Sequence, residues 1–96
     1  MFDLLDQPMP GDISAAIAKR MVARRREHGM TQADLARISG VSLGSLRRFE
    51  QLHEISLISL INISFALGCE HDFDQLFSTP YYASLEAMEQ AAKDTP

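Results

Sequence analysis

Two adjacent arginines, Arg47 and Arg48, stand in a helical run that begins with Leu43 and Gly44. A guanidinium presents a flat fork of N–H donors, which matches the paired acceptors on a guanine edge and the oxygens of a phosphate. Glycine is a poor helix former, but without a side chain it lets a helix approach a flat ligand closely. The stretch therefore predicts a helix that contacts DNA. The alternatives are a solvated arginine face and a tolerated glycine.

Patterns for catalysis, metal binding and membrane insertion are weak. The sequence has no nucleophile–base signature, no Gly-rich phosphate loop after a strand and no carboxylate pair in a predicted cleft. Cys69 and His71 lack a second ligand pair at zinc spacing, so a core role for Cys69 is the better interpretation. We expect no enzyme, metal or cofactor. One cysteine, no membrane-length apolar run and no signal peptide together predict a cytoplasmic protein.

The charge of the chain is unevenly distributed. The 96 residues carry a formal net charge of −4 and a pI near 5.2. Residues 13–51 hold eight basic and three acidic side chains, a balance of +5, so the rest of the chain carries −9. Binding responds to the near surface, because salt screens charges beyond about 8 Å. The local balance therefore favours a nucleic-acid partner, although the overall charge does not.

Capping residues and apolar periodicity predict an all-α chain. Asp12 is placed to cap a first helix, Thr31 and Asp34 form a capping box, and Ser42 and Ser56 cap later helices. The predicted helices span 13–28, 31–39, 43–51 and 57–67, with a short fifth over 72–77 and a possible sixth over 84–92. We expect an N-terminal arm (1–11), a DNA-binding domain (12–78) and a C-terminal tail (79–96).

The second and third predicted helices have the pattern of a helix-turn-helix. Gly40 suits a left-handed turn residue, Ala36 allows the two helices to approach, and Val41 and Leu46 fill the angle between them. Gln32, at the start of the second helix, is positioned to hold a phosphate. The fourth helix is apolar on more than one side, which predicts that a second copy of the chain covers part of it.

The segment MTQADLARISGVSLGSLRRFEQ resembles the helix-turn-helix of the Cro/repressor-like (XRE) family in its T-Q-x-x-L-A opening, its G-V-S turn and its final glutamate. The similarity covers about residues 13–77 and implies a five-helix, lambda-repressor-like domain. It also implies a buried ion pair between Arg25 and Glu50. The chain departs from the family pattern at Leu52, where a glycine usually follows the third helix. The DNA-binding residues that it implies are Gln32, Ser42, Leu43, Gly44, Ser45, Arg47 and Arg48.

A narrower resemblance concerns the partner. The small size, the run FEQLHEISLISLINISFALGCEHDFDQLF and the short SLEAM tail are similar to HipB-like antitoxins, which bind HipA-type kinase toxins and repress the shared operon. The sequence thus predicts a sequence-specific repressor that binds a palindromic operator as a homodimer and regulates its own operon as an antitoxin. The alternatives are a protein-binding antitoxin or regulatory subunit that neutralises a partner such as a HipA-type kinase, and a stand-alone phage-type repressor.

Overall fold

The computed structural model describes residues 7–82 and 85–94, and within those ranges it contains helices and no strand. The predicted all-α fold class is therefore confirmed. In chain order the helices are α1 (Pro10–Glu27), α2 (Gln32–Ser39), α3 (Leu43–Leu52), α4 (Leu57–Ala66), a 3₁₀ helix (Glu70–Gln75) and α5 (Leu85–Asp94).

The helix-turn-helix is formed by α2, α3 and the three residues between them. At the start of α2, Thr31 Oγ1 accepts the Asp34 N–H at 3.1 Å, and Asp34 Oδ2 accepts the Thr31 N–H at 2.9 Å. The hydrogen bond from the Thr31 backbone, followed by that with its side chain, lowers the pKa of Asp34. Gly40 ends α2 in the left-handed conformation (φ 74°), and Ser42 caps α3. The caps and the turn predicted for the helix-turn-helix are thus confirmed.

The first helix begins earlier than predicted. Pro10 is the first helical residue, where its fixed φ suits a helix and its missing N–H costs nothing. Asp12 lies in the first turn and accepts the Met9 N–H at 2.9 Å, so the prediction that it precedes a helix starting at Ile13 is wrong. Two residues of the predicted arm, Pro10 and Gly11, belong to α1. Residues 1–6 lie outside the described ranges.

The C-terminal part also departs from the prediction. At the end of α4, the Gly68 N–H donates to Phe65 O and the Cys69 N–H to Ser64 O, which is a Schellman motif. Immediately afterwards the Asp72 N–H bonds to Cys69 O, three residues back. The short fifth helix is therefore of the 3₁₀ type and begins at Glu70. The start predicted for the last helix, Ser84, lies outside the described ranges, and α5 runs on to Asp94.

The core lies between α1, α2, α3 and α4. Leu35 from α2, Leu46 from α3 and Ile63 from α4 are its largest fully buried side chains, and each contributes roughly 1.5–3 kcal/mol of transfer free energy. α2 packs against both α3 and α4, α1 packs against α3, and α4 packs against the 3₁₀ helix. These contacts fix the rotation of α3 about its own axis, and hence the side that it presents to solvent.

Candidate DNA-binding surface

One side of α3 is buried and the opposite side is open to solvent. Leu46 and Phe49 are buried, whereas Gly44, Arg47 and Arg48 are exposed. At about 3.6 residues per turn, Gly44 lies opposite the midpoint between Leu46 and Phe49. This surface, called the α3 face below, consists of the half-buried Leu43 and the exposed Gly44, Arg47, Arg48 and Gln51.

Nothing in the described part of the chain requires glycine at position 44. A Cβ added to Gly44 would meet no atom of the described residues within 4 Å, and the residue is not in the left-handed conformation. Glycine at an exposed helical position costs about 0.8–1.0 kcal/mol relative to alanine. Neither packing nor backbone geometry offsets that cost, so the glycine is either tolerated or serves the close approach of a ligand to the α3 face.

The N-terminus of α3 carries two serine hydroxyls at the edge of this face. Ser42 Oγ accepts the Ser45 N–H at 3.1 Å and donates to Ser45 Oγ at 2.8 Å. Both residues are exposed. The Ser45 hydroxyl donates to no acceptor within the described residues, so it is available to a phosphate oxygen. The hydroxyl of Ser42 is already engaged as the helix cap.

A chain of polar contacts links the core to the α3 face. Arg25 Nη2 and Gln32 Nε2 both donate to Glu50 Oε1, at 3.2 and 3.0 Å. Arg47 Nε in turn donates to Gln32 Oε1 at 3.4 Å. The side chains of Arg25 and Glu50 are only 9% and 10% exposed, and Arg25 Nη1 also donates to Met30 O at 2.8 Å. Gln32, predicted to hold a phosphate, therefore has its amide engaged between Glu50 and Arg47.

Arg48 is held by a carboxylate that lies outside α3. Its Nε and Nη2 atoms both donate to Glu54 Oε2, at 3.1 and 2.5 Å. Both side chains are more than half exposed, and such an exposed pair contributes at most about 1 kcal/mol. A phosphate or guanine can therefore replace Glu54 at low cost. Without such a ligand, the carboxylate cancels one of the two arginine charges on the α3 face.

The other basic residues are spread over several surfaces. Arg24 pairs with Glu27 at 2.7 Å and Arg37 lies 3.8 Å from Asp34, while Arg25 is buried. Arg20 and Arg24 line a groove between α1 and α4, away from the α3 face. The balance of +5 over residues 13–51 thus does not form a single patch.

The described residues form neither a metal site nor a membrane-spanning helix. No group of three His, Cys, Asp or Glu side chains there is arranged to hold a metal ion. Burial raises the pKa of the Cys69 thiol, so it is protonated at neutral pH. No described helix is both long and apolar enough to cross a membrane.

The family follows from the match of the central helices. Residues 22–73, more than half of the chain, match a family model described as helix-turn-helix. The chain belongs to the XRE-type helix-turn-helix family. It is therefore a DNA-binding regulator of transcription. Comparison with curated proteins and with solved structures found no match. The predicted XRE resemblance is confirmed, while the HipB-like subtype stays a prediction.

In this XRE-type regulator, α3 is the second helix of the motif, and the α3 face is the candidate DNA interface. The individual DNA contacts stay predictions. Sequence reasoning missed Gln51, which belongs to the α3 face, and Glu54, which pairs with Arg48 at its edge. The spacing of Gln51 is a sequence signal, since it lies seven residues after Gly44 and therefore on the same side of the helix. The sequence contains no such signal for Glu54, because the link after α3 brings that residue back to Arg48.

Proposed function

We propose that this regulator is a sequence-specific repressor that binds a palindromic operator as a homodimer, with half-sites roughly 34 Å apart. The observation that carries the proposal is the α3 face, where Gly44 lies between two exposed arginines and opposite the buried Leu46 and Phe49. A dimer that occupies a promoter represses by excluding the polymerase, and it requires no effector domain. We place the protein in the cytoplasm with its target.

The residues of the α3 face have different proposed roles. Arg47 and Arg48 each make a bidentate contact to a guanine edge or a phosphate, and a bidentate base contact is worth roughly 1–3 kcal/mol of discrimination. Leu43 packs on a thymine methyl. Gly44 keeps the helix close to the groove floor. Ser42, Ser45 and the N-terminus of α2 at Gln32 contact the backbone, which sets the register of the helix in the groove.

Direct readout on this surface is limited to few polar groups. Leu43 and Gly44 offer no side-chain hydrogen bond to a base. We therefore propose that the shape and deformability of the operator supply part of the specificity, since base steps that the protein never touches affect the cost of bending the DNA. Substitutions between half-sites are then expected to change affinity.

Autoregulation as an antitoxin is the second candidate function. Two exposed aromatic side chains in the segment after the 3₁₀ helix favour it: Phe77 is 98% and Tyr81 91% exposed. This segment lies in the part of the chain that carries −9, so it suits a partner with an apolar pocket and a basic rim. We propose a toxin of the HipA kinase type as this partner. A stand-alone phage-type repressor would lack this binding. Replacing Phe77 and Tyr81 by serine should abolish partner binding and leave DNA affinity unchanged.

The proposal is tested by fluorescence anisotropy with DNA from upstream of the protein's own gene and a shuffled control. Affinity should favour the native DNA, fall steeply between about 50 and 200 mM salt, and drop at least about tenfold in Arg48→Ala. Arg37→Ala removes the same charge from another helix and should change affinity little. Equal affinity for native and shuffled DNA, or equal effects of the two variants, would contradict the proposed operator binding.

A further inference from the structure

An apolar groove opens between α1, α4 and the 3₁₀ helix. Its volume is about 490 Å³. Ile17, Leu57, Leu60 and Leu76 contribute to its apolar lining, and the charged residues Arg20, Arg24 and Asp72 also line it. Arg24 pairs with Glu27, whereas Arg20 makes no ion pair within the described residues. The groove is distinct from the α3 face, and Arg20 at its edge suits an apolar ligand that carries an acidic group.

The C-terminal helix of the same chain has the complementary character. α5 is ten residues long, and helices of that length are marginal in water unless their apolar side is packed. Leu85 and Met88 share one side of the helix and are 68% and 45% exposed. Glu89 flanks that side, and Glu86 lies further round. The extensive helix packing in the described part of the chain does not involve α5.

The chain's own α5 does not occupy the groove. The groove lining comes from α1, α4 and the residues up to Leu76. The chain has a radius of gyration of 17.5 Å and extents of 52 × 39 × 22 Å, whereas a compact domain of this length has a radius near 12–13 Å. One chain thus contains a helix, α5, with an uncovered apolar side and a groove with an uncovered apolar floor. The two are not in contact within the described residues.

We propose that α5 of one copy binds in the α1–α4 groove of a second copy, and that the exchange is reciprocal. Leu85 and Met88 enter the groove, and Glu89 pairs with Arg20 of the opposite copy. A two-fold exchange covers both grooves and both helices and closes the assembly at a dimer. This exchange rests on the homodimeric operator binding proposed above and deepens it. It would be the interface that joins the two α3 faces of the dimer.

Cys69 in the groove allows a direct test in the full-length protein. One preparation carries Met88→Cys together with Cys69→Ser, and the other is the natural chain, whose only thiol is Cys69. The two are mixed without DNA and oxidised with copper phenanthroline at alkaline pH. The reciprocal exchange predicts a disulfide-linked heterodimer on a non-reducing gel. The control preparation carries Gln90→Cys with Cys69→Ser, which moves the thiol to the other side of α5. It should give at least tenfold less disulfide-linked heterodimer.

Other outcomes of the cross-linking would overturn the proposal. Equal cross-linking of the two cysteine variants would mean random collision. An intrachain disulfide in the single variant Met88→Cys, without any heterodimer in the mixture, would place α5 in its own groove. If neither the mixture nor the single variant Met88→Cys forms a disulfide, α5 does not bind in the groove.

A measurement of mass separates this interface from the operator binding. By light scattering without DNA, the natural protein should be a dimer, and Met88→Glu should weaken the dimer at least tenfold while Gln90→Glu leaves it intact. Both changes lie on exposed positions, so the domain should stay folded by circular dichroism. A dimeric Met88→Glu would overturn the groove proposal alone. A dimer that forms as expected but shows no preference for native DNA would contradict the operator proposal alone.

Discussion

Replacing Glu50 with alanine should cost the domain a large part of its stability, because it leaves the buried guanidinium of Arg25 without its carboxylate. Breaking a buried pair costs about 3–5 kcal/mol. Arg25 Nη1 keeps its hydrogen bond to Met30 O, so we expect the low end, about 3 kcal/mol. A chain of this length has roughly 5–14 kcal/mol in total. Glu50→Ala should therefore lose at least a fifth of the free energy of unfolding.

The apolar double replacement Arg25→Met/Glu50→Leu should behave differently. Within the described residues, Arg25 Nε and Glu50 Oε2 are buried without a hydrogen-bond partner, so the pair does not fully recover the cost of leaving water. Replacing both partners by apolar side chains is often neutral or stabilising by about 1–4 kcal/mol. We expect the double variant to be at least about 2 kcal/mol more stable than Glu50→Ala.

Urea denaturation followed by circular dichroism measures these differences. Glu54→Ala is the matched control, because it removes a carboxylate from an exposed arginine pair and should cost less than about 1 kcal/mol. Two results would refute the reasoning that an unpaired, buried Arg25 destabilises the fold. One is a loss of less than about 1 kcal/mol of unfolding free energy in Glu50→Ala. The other is a double variant that is no more stable than Glu50→Ala.

Three further predictions concern the helix-turn-helix. Gly44→Ala should raise the free energy of unfolding by up to about 1 kcal/mol but weaken DNA binding in anisotropy titrations; unchanged DNA affinity would mean that the glycine is merely tolerated. Glu54→Gln should free Arg48 and raise affinity for shuffled DNA by up to about fivefold at low salt, an effect that added salt removes; a decrease would contradict the competition. The folded-state pKa of Asp34 is lowered mainly by the hydrogen bond from the Thr31 backbone. The contribution of Asp34 to the free energy of unfolding is therefore complete above the unfolded-state pKa near 4. It is lost as the pH falls through the folded-state pKa. The difference in unfolding free energy between the natural chain and Asp34→Asn should thus be constant near neutral pH and shrink in acid, whereas no pH dependence would contradict the assignment.

The central motif could be predicted from sequence because its signals are local. Thr31 with Asp34, Gly40 and Ser42 each act within three residues of their own position, and they define the ends of α2 and the start of α3. The start of α1 was predicted wrongly because the helix begins after Met9, which has no capping side chain, and Asp12 acts from within the first turn.

Features that depend on the link after α3 could not be predicted. α3 continues through Leu52, and the left-handed residue is His53 (φ 65°) rather than a glycine; histidine adopts this conformation more readily than most residues. That turn brings Glu54 to Arg48, six residues back. No spacing rule within a helix connects these two residues. The engagement of Gln32 by Glu50 is likewise a contact between helices, which the sequence alone does not specify.

The central claim, that the α3 face binds DNA, is tested most directly by titrating isotope-labelled protein with native upstream DNA and following the amide resonances. The largest shift changes should occur at Gly44, Arg47, Arg48 and Gln51, with smaller ones at the N-terminus of α2. The groove lining, for example Leu60, should change little. Largest changes in the groove or in α5, with those of the α3 face unchanged, would contradict the account.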